Sequence, residues 1–253
     1  MIRAALALWL LTVPAMAQEE RIVAGLSQTS VAITADFSGS EILIYGAVKR
    51  EAAAPDEPKL EVIVTVEGPS TPLVVRKKER RAGIWVNAEA VNISRAPSFY
   101  AIHTTGPLDD ILSNTENLRQ RITIASAVRA VGISDDAEEA PSFLDALLRI
   151  RAAEGRYILN EGQVTLSEDT LFRADVELPA NLTEGDYRVR IFLTRGGMVV
   201  DALERSIGVQ KTGMERLIFT MAQDKPLLYG LLSLLLAVGA GWGASTAFRL
   251  VRL

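Results

Sequence analysis

The stretch LPANLTEGDYRVRIFLTRGGMVV, residues 178–200, decides the fold class of this chain. Turn-forming residues crowd its first part. Tyr187 then opens a strand in which apolar and charged residues alternate, the period of a strand with one buried face. Gly196-Gly197 closes that strand and starts another over 198–209, a strong two-residue hairpin signal.

The same stretch carries a finer signal. A turn followed by Gly185-Asp186-Tyr187 is common at the E–F corner of immunoglobulin-like sandwiches, where the tyrosine hydroxyl bonds backwards to the corner. The plainer reading is that Tyr187 simply begins a strand. Further strands are expected over 157–159, 163–166 and 171–178, and on the N-terminal side over 30–37, 41–48, 60–66, 73–75 and 83–86. Residues 49–59, with two prolines and mixed charge, read as a loop, and 99–102 as a strand end or the beginning of the next element.

The middle differs. Leu108, Ile111, Leu112, Thr115 and Leu118 recur at helical spacing after Pro107, and helix formers continue over 118–131. The acidic residues 134–140 read as solvated. Ser142 is placed to cap a helix over 143–154, with Leu144, Leu147, Leu148 and Arg151 on one side and Gly155 as its stop. Neither group of strands buries its faces well alone. The economical fold is mainly β: an immunoglobulin-like composite β-sandwich over 18–212, with a helical insert at about 107–155. Two small β domains joined by a helical linker are the alternative.

Both chain ends address a membrane. Residues 226–248 (PLLYGLLSLLLAVGAGWGASTAF) hold no charge and precede Arg249 and Arg252. About 20 apolar residues span a bilayer, so this is a transmembrane helix, with 249–253 a tail. Arg3, the apolar run 4–13 and Ala15-Met16-Ala17 form a signal peptide over 1–17, cut before Gln18; an uncleaved second anchor is the other reading. Export then leaves a domain in the periplasm of a bacterium, one pass of the inner membrane, and a short cytoplasmic tail. Met214, Leu217, Ile218 and Met221 give 213–225 the pattern of an amphipathic juxtamembrane helix.

Chemical signals are sparse. There is no cysteine, so disulfides and thiolate chemistry are excluded. A net charge of −4 and an exported location speak against nucleic acid. The single histidine, His103, has Ser94, Ser98 and Asp109 near it in sequence but no G-x-S-x-G elbow, and reads as structural. An enzyme would need carboxylates such as Asp109 and Asp110 to converge in a cleft. Asp135, Asp136, Glu138 and Glu139 lack the turn glycine and spacing of a calcium loop, and Asn92-Ile93-Ser94 and Asn181-Leu182-Thr183 match only a short glycosylation pattern. No catalytic, cofactor or metal residue is named on these grounds.

Two constellations remain. Arg76, Lys77, Lys78, Arg80 and Arg81 form the densest basic run, suited to an anionic partner or lipid headgroups, or else to a solvated hairpin between Val75 and Ile84. Gly239, Ala240, Gly241, Gly243 and Ala244 give the membrane helix a small-residue face on which another helix can pack closely.

The runs VAITADFSGSEILIYGAVKRE, RKKERRAGIWVN, APSFYAIHTTGPLDDIL, LPANLTEGDYRVRIFLTR and DKPLLYGLLSLLLAVGAGWGA resemble the alphaproteobacterial putative transmembrane protein family over nearly all of the chain. The resemblance implies a periplasmic domain with one C-terminal anchor. It also implies an accessory role beside an anion permease of the sulfite-exporter type, near whose genes those of the family lie. The expected function is a non-enzymatic, membrane-anchored interaction or accessory module, whose membrane-protein partner (or second copy) packs on the glycine face. A periplasmic ligand-binding sensor with a pocket formed by the helical insert is the alternative, and an envelope enzyme stands behind both.

Overall fold

A computed structural model describes residues 20–34, 38–51, 55, 57–130, 140–211, 218 and 221–251. The expected signal peptide and the acidic run over 134–139 lie outside the described residues, as does most of the juxtamembrane stretch. The elements in chain order are β1 (Arg21–Leu26), β2 (Ser30–Ile33), β3 (Ser40–Lys49), β4 (Leu60–Glu67), β5 (Ser70–Arg81), β6 (Ile84–Pro97) and β7 (Tyr100–Thr104). Next come α1 (Leu108–Ile111), α2 (Asn114–Gln120), α3 (Ile124–Ala127), β8 (Arg129–Ala130) and α4 (Ala140–Ala153). They are followed by β9 (Tyr157–Asn160), β10 (Thr165–Ser167), β11 (Leu171–Leu178), β12 (Gly185–Arg195), β13 (Met198–Lys211) and α5 (Pro226–Val251).

Both large sheets draw strands from both halves of the chain. One has the order β1-β3-β11-β10 and the other β2-β13-β12-β4-β7-β9, so the sandwich is composite. Its core lies between them: Ile42, Ile44, Val62, Val64, Val66, Phe172, Val176, Tyr187, Val189 and Ile191 are all buried there. Each such side chain contributes about 1.5–3 kcal/mol on burial. Gly46 permits the close approach of Phe172 across β3: an added Cβ would lie 2.5 Å from the Phe172 ring and 2.6 Å from the Val23 carbonyl. The Tyr187 hydroxyl donates to the Thr183 carbonyl at 2.9 Å, the backward bond expected from the corner sequence.

The larger sheet is covered on its second face too. β7 and β9 are parallel neighbours, and a parallel pair requires a long crossover. The helical insert is that crossover. It buries Ile63, Tyr100, Ile102 and Phe192 beneath Leu108, Ile111, Leu112, Ile122 and Leu147, a second core distinct from the first.

Several local expectations change. β1, RIVAGL, is a strand that the local pattern did not announce, and it pairs with β3 along its whole length. The basic run lies in the exposed hairpin expected between Val75 and Ile84, but β5 is twelve residues long rather than three, because β6 pairs along it; Pro72 sits at a register shift, where a missing N–H is tolerated. The stretch 118–131 is not one helix: α2 ends where Arg121 turns left-handed at φ 52°, and α3 and β8 follow. Leu118 is 75% exposed, so helical spacing there did not mark a core face. α4 begins at Ala140, which puts Ser142 inside the helix instead of at its cap.

Just before β1, Glu20 is held by two arginines. Arg195 donates to its two oxygens at 2.8 and 2.9 Å, and Arg50 adds a bond of 2.7 Å. The Glu20 side chain is only 4% exposed. This clamp joins the approach to β1 to the ends of β3 and β12.

Candidate functional site

Alternation along β12 divides its side chains between two environments. Tyr187, Val189, Ile191 and Leu193 enter the sandwich core, and Arg188, Arg190 and Phe192 face the helical insert. β4 does the same, with Ile63 and Glu67 on the helical side. The apolar cover stops at Phe192 and Tyr100. Beyond them a cavity of about 150 Å³ opens, lined by Arg95, Arg121, Arg188, Arg190, Glu67, Gln120 and Ala127. A water's share of liquid volume is about 30 Å³, so the space suits an ion of a few heavy atoms.

Four arginines thus line one cavity with a single carboxylate, and two of them, Arg95 and Arg188, pair with it. Arg95 donates to Glu67 Oε1 at 2.9 Å, and Arg188 donates to Oε2. Burial pushes the Glu67 carboxyl up, but the hydrogen bonds and charges of Arg188 and Arg95 outweigh it and hold it below the ordinary glutamate range. Glu67 is therefore ionised near neutral pH and offsets one of the four positive charges.

Arg190 is fixed from several sides. Its Nη1 donates to the Gln120 carbonyl at 2.7 Å, and its Nη2 to the Tyr100 hydroxyl at 3.0 Å and the Arg121 carbonyl at 3.1 Å. Its guanidinium carbon lies 5.2 Å from the Phe192 ring centroid, a cation–π contact. Tyr100 in turn donates to the Ile122 carbonyl at 2.9 Å. The Arg190 Nε is buried and has no hydrogen-bond partner among the described residues. Such a preorganised set of forked donors suits carboxylate, sulfate or phosphate groups.

The other structural element with functional content is α5. Its candidate span, Pro226–Ser245, is 20 residues long, and none of it is buried by the described chain. A family model described as Putative transmembrane protein (Alph_Pro_TM) matches residues 21–250. The chain belongs to that family. No curated protein matches it. The family match runs from β1 into α5 and takes in both the sandwich and the candidate membrane helix, and membrane association follows from both findings.

Within this family member the residues singled out by sequence are scattered. Arg76, Lys77, Lys78, Arg80 and Arg81 lie along β5 and do not line the cavity. Gly239, Ala240, Gly241, Gly243 and Ala244 are exposed on α5, and a Cβ added at any of the three glycines would meet nothing within 4 Å. His103 is buried in the sandwich; burial depresses its pKa, and the charges it feels are those of Glu177 and Asp175 on β11. Asp109 and Asp110 are exposed in α1. Among the described residues no group of three or more His, Asp or Glu side chains is placed to hold a metal ion.

Sequence reasoning missed the cavity because its members span Glu67 to Arg190 on separate elements. The available signal was RVRIF at 188–192. Two arginines there share a strand face with a phenylalanine, which marks a face that passes from polar to apolar.

Proposed function

We propose that this protein is a membrane-anchored, periplasmic binding module whose folded domain takes a small anion. The arginine-lined cavity carries the reading: four arginines and one carboxylate line it, which leaves positive charge in excess, and the buried Arg190 Nε has no partner among the described residues. The periplasmic placement is supported by the signal-like N-terminus and by Arg249 and Arg252 beyond the apolar run. The ligand class is a sulfate-, phosphate- or carboxylate-bearing small molecule, because a planar guanidinium fork matches those groups in two-point contact.

The test is thermal unfolding of the full chain in detergent, with sulfate, phosphate and dicarboxylates each titrated at constant ionic strength. A bound anion at 100 times its Kd stabilises the fold by about 2.7 kcal/mol. Arg121→Gln, at a cavity-lining position, weakens that response at least tenfold. No shift with any anion, or an undiminished shift in the variant, defeats the reading.

A second reading, compatible with the first, is an accessory role at an inner-membrane protein such as an anion permease. The exposed small-residue face of α5 favours it, since none of the candidate span is buried by the described chain. Crosslinking in native membranes should enrich a membrane protein or a second copy, and Gly239→Leu with Gly243→Leu should abolish the product. If nothing is enriched and the double variant changes nothing, α5 acts only as a tether.

A further inference from the structure

The β5–β6 ribbon is a continuation of the larger sheet beyond its own end. Glu67 pairs with Tyr100 in that sheet, and Ser70 pairs with Pro97 in the ribbon, in the same register. Between them Gly68 donates to the Phe99 carbonyl at 2.8 Å and Ser98 to the Pro69 carbonyl at 2.9 Å, so the ladder is unbroken. The base of the ribbon is packed: Ile93 and Ala96 are buried, with Leu73 and Val75 against the same core. Beyond it the ribbon emerges into solvent.

The direction of the strands relates this overhang to the membrane helix. β4 and β13 are both antiparallel to β12, and Arg188 pairs with Glu67 on one side and Ser206 on the other. The ribbon therefore leaves the sheet at the end where β13 runs out to Lys211. Residues 212–225 link that end to α5, and with 221–224 helical they reach at most about 40 Å. A strand of twelve residues is about 40 Å long at 3.3–3.4 Å per residue, so the two reaches are comparable.

The far end of the ribbon has a distinct chemistry. Ala82 and Gly83 form the turn with φ of 50° and 87°, the paired positive values of a tight hairpin turn. Ile84 and Trp85 follow at 65% and 68% exposure, opposite Arg81 and Arg80. Against the five cations over 76–81 stand Glu79 and Glu89, each in an exposed ion pair. A tryptophan and an isoleucine at a solvent-exposed tip, flanked by arginines and lysines, have the composition of a membrane-interface anchor. Basic side chains near an anionic lipid surface are held there by its negative potential. Tethering through α5 keeps that surface at high effective concentration, so weak intrinsic affinity suffices.

We infer that the β5–β6 tip docks into the headgroup layer of the bilayer that the chain's own helix crosses. Trp85 and Ile84 enter the interface, and Arg76, Lys77, Lys78, Arg80 and Arg81 lie over anionic headgroups. This docking is independent of what fills the arginine cavity.

The experiment uses the full chain with Trp9→Phe and Trp242→Phe, which leaves Trp85 as the only tryptophan. It is reconstituted in bilayers of phosphatidylcholine alone or with added phosphatidylglycerol, each carrying a lipid brominated near the headgroup. Trp85 emission should shift to the blue and be quenched in the anionic bilayer. Replacement of the five cations by glutamine should return quenching to the zwitterionic level, and circular dichroism checks that the sheet persists. Absence of quenching in either bilayer overturns the inference. Equal quenching with and without phosphatidylglycerol overturns the headgroup contacts. Burial of Trp85 seen only in native membranes, and never in lipid alone, assigns the tip to a protein and overturns it as well.

Discussion

Replacing Glu20 by alanine should lower the thermal midpoint of the domain by roughly 6–20 °C. Removing one member of a buried ion pair costs about 3–5 kcal/mol, and 1 kcal/mol shifts the midpoint of a domain this size by about 2–4 °C. The cost arises because Arg50 and Arg195, whose side chains are 13% and 10% exposed, would keep their charges without the carboxylate that compensates them. Acid should reproduce part of this effect. The Arg195 hydrogen bond, opposed by burial and reinforced by Arg50, holds the Glu20 carboxyl below the ordinary range. Its contribution is then complete above the unfolded glutamate value of about 4.3 and is lost as pH falls through the lower folded value. Glu67 has the same sign. Melting curves followed by circular dichroism between neutral and acid pH should therefore steepen downward below about pH 4.3, and Glu20→Gln should flatten that fall. A variant that melts with the parent would show that the clamp adds no net stability.

Phe192→Ala should damage the fold and the cavity together. The side chain is 1% exposed and joins the second core to the arginine cluster. Truncating a buried phenylalanine costs about 3–5 kcal/mol, and the void would lie under the helical insert. It would also remove the ring beneath the Arg190 guanidinium. Phe192→Leu separates the two effects. It keeps most of the buried volume but loses a cation–π contact of about 0.5–2 kcal/mol, so its anion response should weaken several-fold with a much smaller change in melting. If Phe192→Leu binds anions as the parent does, the ring does not position Arg190.

Much of the architecture is written locally. The hairpin at Gly196-Gly197 and the Tyr187 corner depend on residues a few positions apart, and both form as their sequences indicate. Two strands reach further than their own patterns show, for one cause. RKKERR sits in the hairpin its flanks suggest, but it carries no apolar alternation and extends the strand because β6 supplies its hydrogen-bond partners. RIVAGL is a strand because β3 does the same for it. Conversely, Leu118 keeps helical spacing but faces solvent, since α2 is only seven residues long and ends at Arg121. Periodicity reports which positions are suited to burial; it does not report which neighbouring element arrives to bury them.

The strand-rich class, the helical interruption and the apolar run at 226–248 are legible without any fold, because periodicity, turn chemistry and length are properties of contiguous residues. Long-range strand pairing alone set both halves into two shared sheets and carried the basic ribbon beyond the end of one of them. The same pairing gathered Glu67, Arg95, Arg121, Arg188 and Arg190 around one cavity. Those outcomes rest on registers between strands far apart in the chain. A charge that looks solvated in its own segment becomes part of a site only when pairing carries it to other charges.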